Sequence, residues 1–165
     1  MGIESYDRVL GRAKALKKER DTLAAYLNAD ETVLARSLAE ALVDTTALTA
    51  TRRPLPPLAV PVVEAEGAAE LMTGGVVLVI TDRKLIAATS TGGFRPRWEA
   101  LTLPYGQLEP ELREVPADGG STVLIVPTSG RRDFGARFRD AGPAADCAAA
   151  LREALGTYRR ERMGL

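Results

Sequence analysis

The sequence predicts an α+β protein that is mainly β: a bent antiparallel sandwich, or partly open barrel, of about seven strands with a helix at each end. Three observations lead to this prediction. Short apolar runs separated by turn residues succeed one another between residues 71 and 138. Residues 143–161 carry an apolar stripe at helical spacing, and residues 3–27 carry another stripe outside the run of strands.

Residues 1–29 are predicted to form an N-terminal amphipathic helix, followed by a domain that spans residues 30–165. The apolar face of this helix carries Val9, Leu16 and Leu23 at intervals of seven residues. A helix this short is only marginally stable alone, so its apolar face needs a surface to pack on. The candidates are the domain itself, a helix of a partner or of a second copy, and a membrane met by the basic face. The opposite face carries Arg12, Lys14, Lys17, Lys18 and Glu19.

The strand pattern begins at residues 32–43, which fit a strand or a helix by composition and a strand by the order of the later elements. Residues 44–70 contain four prolines and are predicted to form a long loop, with room for a short edge strand at residues 59–64. The continuous apolar run from Val76 to Ile80 predicts a strand buried on both faces. Further strands are predicted at residues 85–88, 98–103, 108–115, 123–126 and 134–138.

The segment from Val76 to Ser90, VVLVITDRKLIAATS, resembles one shared by bacterial pleckstrin-homology-like (PH-like) and GRAM-like domains. In those domains an apolar strand runs into a Thr-Asp-Arg-Arg/Lys-Leu-Ile turn, which is here Thr81 to Ile86. The resemblance implies that residues 30–165 are a PH-like domain whose C-terminal helix closes one end of the sandwich. The long loop at residues 44–70 departs from the family, where many relatives turn more tightly. PH-like domains bind lipids or peptides or act as scaffolds, so the resemblance implies binding without naming a ligand.

The composition argues against catalysis and against nucleic-acid binding. The chain has no histidine, which is the commonest general base and zinc ligand. We therefore expect no enzyme activity, no metal and no cofactor. The 22 basic and 22 acidic residues cancel, so no overall attraction to nucleic acid is expected. The single cysteine, Cys147, is expected in the core, and the absence of a signal peptide predicts a cytoplasmic protein, peripheral to a membrane if it binds lipid.

Three arginine pairs, one of them beside a phenylalanine, are the candidate anion-binding residues. The resemblance implies that the three loops carrying them meet at the end of the sandwich opposite the helix. Six guanidinium groups there would attract phosphate or carboxylate groups. Alternatively, each pair is an ordinary solvated charge, partly neutralised by Asp133, Glu99 and Asp140. The candidates are Arg52, Arg53, Phe94, Arg95, Arg97, Arg131 and Arg132.

We therefore expect a non-catalytic binding or scaffold module. The first hypothesis is interaction with an unknown protein partner or with a second copy, through the Val9, Leu16 and Leu23 stripe or through an exposed sheet edge. The second hypothesis is binding of an anionic lipid or a phosphate ligand at the arginine-rich end of the sandwich. The neutral net charge favours the first hypothesis.

Overall fold

The computed structural model describes residues 2–43, 75–130, 132–162 and 164. The described part of the chain contains two four-stranded antiparallel sheets and three α-helices, which confirms the predicted fold class. The strands are β1 (Val33–Ala39), β2 (Ala41–Leu42), β3 (Gly75–Thr81), β4 (Lys84–Ser90), β5 (Trp98–Pro104), β6 (Arg113–Pro116), β7 (Thr122–Val126) and β8 (Phe134–Phe138). The helices are α1 (Gly2–Leu10), α2 (Glu19–Ala24) and α3 (Ala141–Arg162).

Glu40 is the point where the chain passes from one sheet to the other. The first sheet has the order β1-β3-β4-β5 and the second has the order β2-β8-β7-β6. β1 ends just before Glu40 and β2 begins just after it, so the two act as one bent strand. Glu40 is held by its backbone N–H, which donates to Arg137 O at 2.8 Å. When β1 and β2 are counted as one strand, the described residues contain seven strands, as predicted. This bent strand also confirms the strand predicted at residues 32–43.

β3 is buried on both faces because the molecule has a core on each side of it. Leu78 and Ile80 lie in the main core, between the two sheets and against α3. Val77 and Val79 face a second core on the outer side of the first sheet. All four side chains are 0% exposed. The predicted two-sided burial is confirmed, and the second cover comes from residues 2–31, here called the N-terminal segment.

The N-terminal segment contains two short helices, so the prediction of one helix over residues 3–27 is wrong. α1 ends before Gly11, which adopts φ +55°, and α2 follows Lys18, whose φ of +63° is also left-handed. The chain changes direction at Gly11 and again at Lys18, so that both helices pack on the first sheet. Tyr6 and Leu23 are fully buried there, against Val79 and its neighbours. A straight helix would have covered less of this apolar face.

The predicted strand at residues 108–115 is shorter than expected. Leu108 makes only an isolated bridge with Thr128, and β6 spans Arg113–Pro116. Pro110 has no N–H to donate, which interrupts any strand ladder between them.

The remaining elements agree closely with the sequence patterns. Two residues, Asp82 and Arg83, join β3 to β4 as the motif predicts, and the helix predicted at residues 143–161 is α3. Cys147 lies in the main core at 1% exposure, and burial raises the pKa of its thiol to about 11. The predicted loop at residues 44–70, with its short edge strand, lies outside the described residues.

Replacing Leu23 with alanine should lower the free energy of unfolding by about 2–5 kcal/mol, because a fully buried leucine leaves a cavity. Val9→Ala is the matched control. Val9 belongs to the same seven-residue stripe but is 36% exposed, so its loss should be under about 1 kcal/mol. Chemical denaturation of both variants measures the difference. Equal losses would contradict the docking of α2 on the sheet.

Candidate functional site

The turn between β4 and β5 presents an aromatic ring and two arginines to solvent. Thr91 N donates to Arg97 O at 3.0 Å, and Arg97 N donates to Thr91 Oγ1 at 2.9 Å, which closes the turn. Gly93 adopts φ +80°, a conformation that side chains disfavour. At its tip Phe94 is 82% exposed, and Arg95 and Arg97 are exposed beside it.

The loop between α1 and α2 packs on this turn. Lys17 Nζ donates to Phe94 O at 2.6 Å and lies 4.5 Å from the centroid of the Phe94 ring. Lys17 O in turn accepts from Trp98 Nε1 at 3.0 Å. These contacts fix the loop, which carries further basic residues, against a turn more than seventy residues away in the chain.

Six exposed cations and one exposed aromatic ring lie on this turn and on the loop that packs against it through Lys17, and together they are here called the basic surface. Four of the cations come from the α1–α2 loop and two from the β4–β5 turn. Within the described ranges none of the six forms an ion pair, with Glu99 or with another carboxylate. The residues of the basic surface are Arg12, Lys14, Lys17, Lys18, Phe94, Arg95 and Arg97.

Arg132 is the one described residue of the third predicted arginine pair. Arg132 and Asp133 line a cavity of about 210 Å³ between β5 and the ends of β2 and β8. The other pair members, Arg52, Arg53 and Arg131, lie outside the described residues, so the meeting of three pairs stays a prediction. The remaining lining of the cavity is Leu42, Val43, Leu101, Leu103, Phe134 and Gly135.

The seven-residue stripe does not form one exposed face. Leu23 is fully buried in the second core, and Leu16 is half-buried against that core. Of the three candidate partner residues, Val9 remains substantially exposed. Of the three surfaces on which this segment was expected to pack, it packs on the domain itself.

A buried carboxylate holds the α1–α2 loop in place. Glu19 is 0% exposed and accepts from Arg36 Nε at 2.8 Å and from Arg36 Nη2 at 2.7 Å. It also accepts from Leu16 N at 2.9 Å and from the Tyr6 hydroxyl. Burial alone would raise the pKa of Glu19, but these hydrogen bonds and the Arg36 charge lower it overall. Sequence reasoning placed Glu19 on the solvated face of a helix, and the structure corrects this.

A second buried carboxylate anchors the other end of the N-terminal segment. Glu31 is 0% exposed, accepts from Thr81 Oγ1 at 2.6 Å and lies 3.2 Å from Lys84 Nζ. Beside it, Arg83 Nη2 pairs with Asp30 Oδ2 at 2.7 Å. The Thr81 to Ile86 motif therefore binds the N-terminal segment as well as turning the chain.

Two further observations concern metal binding and membrane spanning. In the ranges that the structure describes, no three histidine, cysteine, aspartate or glutamate side chains are grouped so as to hold a metal ion. None of the described helices has the length and apolar character needed to cross a membrane.

Comparison with known proteins does not assign a family. No family model, no curated protein and no solved structure matches the chain. The resemblance to PH-like domains therefore stays a prediction, drawn from the Val76 to Ser90 segment and from the order of the elements.

Replacing Arg36 with leucine should cost about 3–5 kcal/mol at pH 7, because it leaves the Glu19 carboxylate buried without its partner. The cost should depend on pH. A carboxyl group whose folded pKa is lowered stabilises the fold above its ordinary pKa of 4.5, and this contribution is lost as the pH falls through the folded value. The gap between variant and unmodified chain should therefore shrink below about pH 4.

Denaturant unfolding across this pH range measures the effect. Arg20→Leu is the matched control, because it removes the partner of the exposed Asp7 carboxylate, 2.8 Å away, and should cost much less. A cost for Arg36→Leu that is independent of pH would contradict the assigned charge pair.

Proposed function

We propose that this protein is a non-catalytic, PH-like binding module that docks on anionic membranes through the basic surface. The observation that carries the proposal is the exposed Phe94 ring, which has Lys17 Nζ 4.5 Å from its centroid and Arg95 and Arg97 on the same turn, with no ion pair from these three cations to a described residue. Two chain segments, distant in sequence, build this arrangement together.

Electrostatic attraction would supply the first part of the binding free energy. Each lysine or arginine held near an anionic membrane surface contributes about 1 kcal/mol, and the effect decays within a Debye length of about 10 Å. The formal net charge of the chain is zero, so a long-range field does not attract it to the membrane. Local clustering on the basic surface would have to do so.

Phe94 favours a bilayer over a soluble anion as the ligand. A free phosphate compound would use the cations and leave the ring in water, at 82% exposure. At a membrane surface, an aromatic ring beside basic residues enters the boundary between headgroups and acyl chains. The bilayer is the partner that satisfies both kinds of side chain.

The double variant Arg95→Glu, Arg97→Glu should weaken binding to phosphatidylserine-containing vesicles by more than about tenfold. Binding of the unmodified chain should fall as salt rises and should be absent on neutral phosphatidylcholine vesicles. The matched control is Arg160→Glu, Arg162→Glu, which makes the same charge change at two exposed positions on α3. Co-sedimentation measures all three. If both double variants weaken vesicle binding equally, the effect comes from the net charge of the protein and not from the basic surface, and the proposed surface is overturned.

Phe94→Ala distinguishes a bilayer from a dissolved anion. It should weaken vesicle binding by a few-fold at every salt concentration while leaving the binding of inositol hexakisphosphate unchanged. Leu101→Ala is the control, since Leu101 is also exposed, at 40%, but lies away from the basic surface, at the cavity. Tight inositol hexakisphosphate binding without vesicle binding would overturn the membrane assignment.

A protein partner is the second candidate function, and β5 favours it. Within the described part of the chain β5 is the last strand of its sheet, so one side of its backbone has no neighbouring strand. Such an edge can accept another strand. Leu101 and Leu103 of β5 line the cavity beside it.

If this edge pairs with a second copy, sedimentation velocity should show a mass that rises with concentration. Leu101→Asp should then restore the monomer. A monomeric mass at all concentrations would rule out self-association and leave only a different protein as the partner.

A further inference from the structure

We propose that Glu19 is a positioning residue for the basic surface, and that the surface is complete only while the Glu19 carboxylate is buried against Arg36. This inference rests on the proposed membrane function and adds a condition to it. Four of the six cations belong to the α1–α2 loop, whereas Phe94 and the two arginines belong to the sheet domain. Undocking of the loop would therefore split the surface.

Glu19 is the place where the loop, both N-terminal helices and the sheet are joined. Its two oxygens accept from Arg36 on β1, from the Leu16 amide in the loop and from Tyr6 on α1. Glu19 itself is the first residue of α2. Removal of this one carboxylate would release the contacts of α2 with β1, the loop and α1 at once.

The loop residues nearest to Glu19 are those that build the basic surface. Lys18 directly precedes it and is held at φ +63°, which a non-glycine residue adopts only when its surroundings impose it. Lys17, one position earlier, contacts the Phe94 ring and the Trp98 indole. Lys18 O also accepts from Thr22 N and Thr22 Oγ1. Loss of the Glu19 carboxylate would therefore remove one of the restraints on this turn and loosen the contact of Lys17 with the ring.

The N-terminal segment has a separate anchor, which lets the loop open without releasing the whole segment. Glu31 and Asp30 are bound by Thr81, Lys84 and Arg83, at the last residue of β3 and in the turn and strand that follow it. Loss of the Glu19 contacts would loosen the loop while these ion pairs, the burial of Tyr6 and Leu23, and the sandwich persist.

Trp98 provides a direct readout, because it is the only tryptophan of the chain and its indole donates to Lys17 O. Glu19→Ala should red-shift Trp98 fluorescence, increase its quenching by acrylamide and weaken binding to phosphatidylserine-containing vesicles by about tenfold or more. The far-ultraviolet circular dichroism of the sheets should be retained. Glu19→Gln, which keeps the size of the side chain, replaces the alanine variant if that variant does not fold.

The matched control is Asp7→Asn, which removes an exposed carboxylate of the same segment, paired with Arg20 at 2.8 Å, and should change neither signal. An unchanged Trp98 spectrum in both Glu19 variants would overturn the positioning role. A shifted spectrum with unchanged vesicle binding would overturn this inference and leave the proposed function standing. Absence of vesicle binding by the unmodified chain would overturn the proposed function, and this inference with it.

Discussion

Burial of the Glu19 carboxylate is the constraint on which the docking of the N-terminal segment depends. Taking a carboxylate out of water costs several kcal/mol unless a partner charge and hydrogen bonds compensate. Here Arg36 supplies the charge and two donors, and Leu16 and Tyr6 supply the others. Because the donors come from a helix, a loop and a strand, their relative positions are linked. The sheet face, the two helices and the basic surface are arranged together for this reason.

The sandwich could be predicted from sequence because its signals are local. The two-sided burial of β3, the turn at Asp82 and Arg83, and α3 are each encoded by the residues that form them. The N-terminal segment could not be predicted in this way. Its seven-residue stripe fits one helix, and the preference for two helices arises only because the sheet offers an apolar face that both can cover. A tertiary contact overrides the local pattern there.

Part of the candidate site was visible in the sequence, and the remainder required the fold. Gly92 and Gly93 indicate a turn in the sequence, and this turn exposes Phe94, Arg95 and Arg97. The four cations of the α1–α2 loop were recognisable as a basic face, but nothing local brings them to Phe94. The contact between Lys17 and Phe94 joins positions 77 residues apart, and no pattern of spacing encodes it. Arg132, chosen by analogy with PH-like loops, lines the cavity beside β5, and the meeting of the three arginine pairs stays a prediction.

The position of β3 between two cores has a consequence for how the molecule opens. Its backbone amides are paired with β1 on one side and β4 on the other, under apolar cover on both faces. Such amides exchange their hydrogens with water only when the whole domain unfolds, whereas peripheral segments exchange through smaller local openings. The amides of residues 11–18 should therefore exchange many times faster than those of β3. The α1–α2 loop would then open and close while β3 and the two cores around it stay folded.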